Sequence, residues 1–98
     1  MPLRSVEFHP EAVDEAAAAH EWYRVRSEAA AQAFIAEIDH AIQQITDDPN
    51  RWPKHSHGTH HYLLHKFPFS VIYNATDTVI QVLAVAHGRR RPGYWKTR

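Results

Sequence analysis

The period of the apolar positions changes twice along the chain. Val6 and Phe8 alternate with Ser5 and Glu7, which predicts a short half-buried strand over residues 3–8. His9-Pro10 ends it and opens a helix, because proline at the first helical position gives up an N–H that had no helical acceptor. Glu11, Asp14 and Glu15 put negative charge near the positive end of that helix. Ala12, Ala16, Ala19 and Tyr23 form one stripe, with small residues that permit close approach, to about Val25. Ser27 caps a second helix, and Phe34, Ile38, Ala41, Ile42 and Ile45 keep a 3.6-residue period within it. Pro49 stops this helix at Asp47-Asp48, where two acids oppose the dipole, so that end must fray or be satisfied from elsewhere. The short connection makes the two helices an αα-hairpin.

The second half reads differently. Residues 50–61 lack periodicity and predict a loop entering a strand. Three strands follow, at about 61–67, 69–75 and 78–87, with turns at Phe67-Pro68 and Ala75-Thr76-Asp77-Thr78. They form an antiparallel meander. Val79, Ile80, Val82, Leu83, Val85 and Ala86 make the last strand apolar on both faces, as in a central strand. The order β-α-α-β-β-β predicts an α+β fold in which a helical hairpin covers one face of a small antiparallel sheet. The other face, with the C-terminal segment, is expected to stay open for a partner.

Ninety-eight residues predict a single domain over residues 1–98. The absence of cysteine removes disulfides and thiolate chemistry. No apolar run reaches the roughly 18–20 residues of a membrane span, and the first residues lack a signal-peptide apolar region, so a cytoplasmic protein is expected. The net charge of zero conceals a division. Up to Asp48 there are three bases against ten acids; after it there are eight bases against one acid, Asp77, with six of the nine histidines. One half therefore offers a basic surface suited to an acidic or polyanionic partner.

Several stretches together resemble the RelE/ParE superfamily, the toxins of bacterial type II toxin–antitoxin (plasmid stabilisation) modules. They are Val6-x-Phe8-x-Pro10 with Glu15 and Trp22-Tyr23, then Ala33-Phe34 and Ile38, and Pro49-x-x-Trp52-Pro53. More specific are Leu64-x-x-Phe67-Pro68-Phe69-Ser70-Val71-Ile72-Tyr73 and Leu83-Ala84-Val85-Ala86-His87-Gly88-Arg89-Arg90-x-Pro92-Gly93-Tyr94-Trp95. The resemblance spans essentially the whole chain and implies the α-hairpin-on-sheet fold already read from the pattern. It also implies a cognate antitoxin whose C-terminal segment wraps the toxin, in a hetero-oligomer. The expected activity is that of a ribosome-dependent mRNA endonuclease (an mRNA interferase); the alternatives are a DNA gyrase inhibitor without catalysis and a degenerate toxin that only binds antitoxin.

The endonuclease reading implies a base, cationic donors for the phosphorane and an acid for the leaving oxygen, with no cofactor or metal. By the resemblance these fall on Lys54, Lys66, Arg89 and Tyr94, with His87, His60 or His61 able to titrate near neutrality. Arg90, Arg91, His60, His61 and Trp95 are the further candidates for contact with target or antitoxin. Close relatives tend to carry arginines at His60-His61, which weakens phosphate binding here. Tyr94 and Trp95 either stack a base or fold back over the core. His55-x-His57-x-x-His60-His61 offers imidazoles to zinc but no acidic or thiolate ligand, so a basic loop is the expected reading. Ser27, Ser56 and Ser70 lack a hydrolase context, and acidic helices are poor readers of a DNA groove.

Overall fold

In the computed structural model, which describes residues 4–98, the chain forms β1 (Ser5–Phe8), α1 (Pro10–Arg24) and α2 (Glu28–Asp47). A short 3-10 turn, Ser56–Gly58, precedes β2 (His60–Leu63), β3 (Phe69–Ala75) and β4 (Val79–His87). Residues 1–3 lie outside the described part, and with them the expected start of β1 at residue 3. The sheet order is β1-β4-β3-β2. β2, β3 and β4 are the expected antiparallel meander, but β1 joins β4 in parallel, Ser5 opposite Val79 and Phe8 opposite Val82, so the sheet is mixed.

Local chemistry explains the boundaries. His9 caps α1 by accepting the Glu11 N–H on Nδ1, and Ser27 Oγ accepts the Ala30 N–H at the start of α2. The acidic end of α2 is satisfied from β1's flank: Arg4 donates to the Thr46 carbonyl at 3.4 Å and supplies the positive charge that end lacks. β2 stops at Leu63 rather than near residue 67. Beyond it, Glu37 of α2 accepts the N–H groups of His65 and Lys66, which turns the backbone away from the ladder.

Both helices lie on one face of the sheet. Phe34, Ile38, Ala41 and Ile45 meet Val71, Tyr73, Ile80, Val82 and Val85 there, and Ile42 packs at the margin. Simple alternation predicts Ala84 on this face with Val82. It lies on the other, with Ile72, Leu83, Ala86 and Trp95. The cause is a β-bulge in β4. Tyr73 opposes Val82 but Ile72 opposes Ala84, so Leu83 is an extra residue that resets which positions face the helices. The apolar run that marked β4 as central therefore contains a change of phase.

The second face is not open as expected. The C-terminal segment folds onto it, and Trp95 is 5% exposed against Ile72, Leu83, Ala84 and Ala86. No helix among the described residues is long and apolar enough to cross a membrane.

Candidate functional site

β1 ends at Phe8, so β4 runs on past its neighbour and its edge is unpaired from Leu83 onward. A buried backbone group without a partner costs about 1–3 kcal/mol, and here side chains replace the missing strand. Glu15 of α1 accepts the Val85 N–H at 3.0 Å. Arg98 donates to the Leu83 carbonyl at 2.9 Å and to both oxygens of Glu15, at 2.9 and 3.2 Å. Tyr94 Oη donates to Glu15 Oε2 at 2.6 Å. One carboxylate thus ties together α1, the bulged strand and the C-terminal segment.

The charges follow from that geometry. Burial alone pushes the Glu15 carboxyl up, but the bonds from Arg98, Tyr94 and Val85 outweigh it and hold the group below its ordinary value. Tyr94 moves the other way: burial, then the Glu15 carboxylate beside it, drives its phenol well above the usual range. Arg98 is held protonated chiefly by its hydrogen bond to Glu15.

Beside this clasp, a groove of about 440 Å³ opens between α1 and the ends of β3 and β4. Ala18, Ala19, Tyr23, Phe69 and Val85 give it an apolar lining. Trp22, half exposed, stands at its rim with the Arg26 guanidinium 3.7 Å above its ring. His87, Arg90 and Glu15 supply its polar part. Arg89 and Arg91 are exposed on the turn that follows β4. Lys66 is exposed on the neighbouring β2–β3 turn, which is joined to it by the Gly88 N–H on the Pro68 carbonyl.

The remaining candidates are dispersed. Lys54 is exposed and bridges His60 on the outer edge of β2. Three ladder spacings of about 4.8 Å and four residues of strand at about 3.3 Å separate Lys54 from the end of β4, roughly 20 Å between backbones. His60, expected to meet a partner, is 5% exposed instead. Its ring stacks on Tyr73 and its Nδ1 donates to the Trp52 carbonyl. Trp95 is buried likewise, so it folds back over the core and does not offer a face for stacking a base. His87 Nδ1 accepts the Arg89 N–H at 3.0 Å. A neutral imidazole that accepts at Nδ1 carries its proton on Nε2, so this arrangement leaves no lone pair for general-base work. Arg90 lies over the Tyr94 ring at 3.9 Å and is 3.7 Å from Glu15. His61 stacks with His55 at 4.2 Å, and among the described residues no group of three His, Asp or Glu is placed to hold a metal.

Glu15, expected only to favour the α1 dipole and quoted within the resemblance, and Arg98 were not among the expected site residues. A signal for Glu15 was present: it stands among Ala12, Ala16 and Ala19 on the inward stripe of α1. A carboxylate on a small-residue stripe needs a cation from another element. Nothing in the sequence marks Arg98 as that cation.

A helical hairpin on one face of a small sheet, with a basic turn after its central strand, agrees with the α+β architecture that the resemblance implies. The chain belongs to the ParE toxin family of these systems, parDE, whose family model matches residues 6–92. Its fold is similar to a solved structure of the chromosomal ParDE toxin–antitoxin system from P. aeruginosa, with a TM-score of 0.74 and 19% identity over 87% of this chain and 96% of that one. No curated protein matches the sequence.

Proposed function

We propose that this chain is a growth-inhibiting toxin that acts by binding DNA gyrase, is neutralised by a cognate antitoxin, and performs no RNA chemistry of its own. Membership of the ParE family supports this reading. The observation that carries it is the engagement of Tyr94. Its hydroxyl is bound to Glu15, in a clasp that completes the sheet edge, and its proton is held tightly. A general acid must release its proton near the working pH. The other candidates do not replace it: Lys54 is roughly 20 Å from the end of β4, and His87 has no free lone pair.

What remains suits a protein partner. An apolar groove with a half-exposed tryptophan at its rim and arginines nearby is an anchor-and-steer surface: aromatic and arginine residues dominate binding energy, and charge sets encounter rate. The antitoxin in this reading is acidic where it meets Arg89, Arg90 and Arg91. The endonuclease reading keeps one support, since Lys66 and Arg89 lie on turns that are joined to each other. Inducing the chain alone in cells separates the cases. Gyrase poisoning induces the DNA-damage response with intact transcripts. Cleaved transcripts without that response would establish the nuclease, and normal growth would leave antitoxin binding as the only function.

A further inference from the structure

We propose that His55 and His61 form a pH-operated latch that holds the C-terminal segment on the second face of the sheet through Trp95, and that acidification lifts the segment. His61 of β2 is the cross-strand partner of Ile72, so both belong to the face that Trp95 covers. The His61 ring meets Trp95 edge to face, with centroids 5.3 Å apart. His55 lies flat on His61, 4.2 Å away with only 20° between planes. A narrow hairpin sets His55 there: the His55 N–H bonds the Thr59 carbonyl at 2.8 Å, and Lys54 bridges His60. At its tip His57 has φ 74°, in the left-handed region, and directs its ring at Gly93. A Cβ on Gly93 would come within 2.6 Å of His57 Nε2, so hairpin and segment interlock closely.

The docked state is poised for release. The Trp95 indole N–H is buried without an acceptor, so the Trp95 side chain itself is held by apolar and ring–ring contact. The neighbouring charges that lower the His61 imidazole are cationic: His55 and His57 from the hairpin and His60 from its own strand. Lys54 and Lys96 flank the contact in sequence, on the hairpin and on the segment. Among the described residues no carboxylate pairs with any of these histidines. Burial first, then the charges of His55, His57 and His60, hold the His61 imidazole below its ordinary 6.5. The docked segment therefore prefers neutral His61. Its stabilisation is complete above pH 6.5 and is lost as pH falls below that value. The Glu15 carboxyl, held below its ordinary 4.5, stays ionised in this window and keeps both Tyr94 and Arg98 clasped, so the part that lifts is the stretch between them, with Trp95. Lifting it uncovers Ile72, Leu83, Ala84 and Ala86.

The test is an NMR titration of the full chain from pH 8 to pH 5. It follows the Trp95 indole N–H, assigned by loss of its resonance in Trp95→Phe. The latch requires this resonance to move to the position of a solvent-exposed indole with a midpoint below pH 6.5, while the Val71 and Ile45 amides stay in place. His55→Phe retains the ring stack with one charge fewer, so its transition should be shallower and shifted to lower pH. An indole resonance unchanged at pH 5 overturns the latch. So does movement of Val71 with the same midpoint, which would mean global unfolding, or a His55→Phe curve identical to the parent's.

Discussion

Tyr94 Oη and Glu15 Oε2 are 2.6 Å apart, although the two residues are 79 positions apart in sequence. Arg98 and the Val85 N–H share the same carboxylate. Four residues from three parts of the chain thus meet at the unpaired edge of β4. Glu15→Gln keeps the shape but leaves the Arg98 guanidinium, 8% exposed, with only the exposed Glu11 carboxylate at 3.3 Å as its counter-charge. Removing one partner of a largely buried pair costs about 3–5 kcal/mol, and some solvent access lowers this to about 2–4. Chemical denaturation should show that loss with an unchanged denaturant slope.

Acid should reproduce part of this effect in the parent. The Glu15 carboxyl is held below its ordinary 4.5, so its contribution is complete above that pH and disappears as pH falls through the lowered value. Denaturation curves from pH 6 to pH 3 should fall more steeply for the parent than for Glu15→Gln, which has no such carboxyl to protonate. Parallel curves would remove Glu15 from the acid response.

In the core, Ile38 is 7% exposed within the cluster that joins α2 to the sheet. Truncating a buried isoleucine costs about 2–5 kcal/mol. Ile38→Ala should lower the melting temperature by more than 5 °C, whereas Ile35→Ala, at the 38% exposed Ile35, should change it little.

The helical hairpin, the meander and α2's buried stripe were legible because each is written in a local period. The parallel pairing of β1 was not, since alternation in Val6 and Phe8 fixes a face and not a direction. The bulge was hidden for a related reason. Val82-Leu83-Ala84-Val85 is apolar at every position, so no polar residue marks where the phase changes. The site was legible in its charge but not in its contacts. Arg89 and Arg91 are exposed as a basic run should be, yet His60 and Trp95 are buried, because rings can cover apolar strands as readily as meet a partner. The clasp joins positions 15 and 98, and no local pattern links them.

Arg89 and Arg91 should steer the antitoxin. Both are exposed, and unlike Arg90, which lies over Tyr94 beside Glu15, neither is engaged with the clasp. Charges at an interface rim act mainly on encounter rate, so reversing the two to Glu should slow association by tenfold or more at low salt and flatten its salt dependence. Stopped-flow association at two ionic strengths measures this, and an unchanged rate would rule out steering by this turn.

Tyr94→Phe removes one hydroxyl and leaves Arg98 and Val85 on Glu15. A hydrogen bond to a charged group is worth about 1.5–3 kcal/mol, so the variant should remain folded with a modest loss of stability. Its growth arrest should match the parent's. A folded Tyr94→Phe protein without toxicity would restore the hydroxyl to a chemical role.

The central claim is that the target is gyrase and the action is binding. Its most direct test adds the purified chain to DNA gyrase with relaxed plasmid and ATP, and separately to ribosomes carrying mRNA. Action on gyrase requires supercoiling to be lost or cleaved plasmid to accumulate as the chain approaches the gyrase concentration, with the mRNA intact. Unaffected gyrase together with mRNA cut on the ribosome would contradict it.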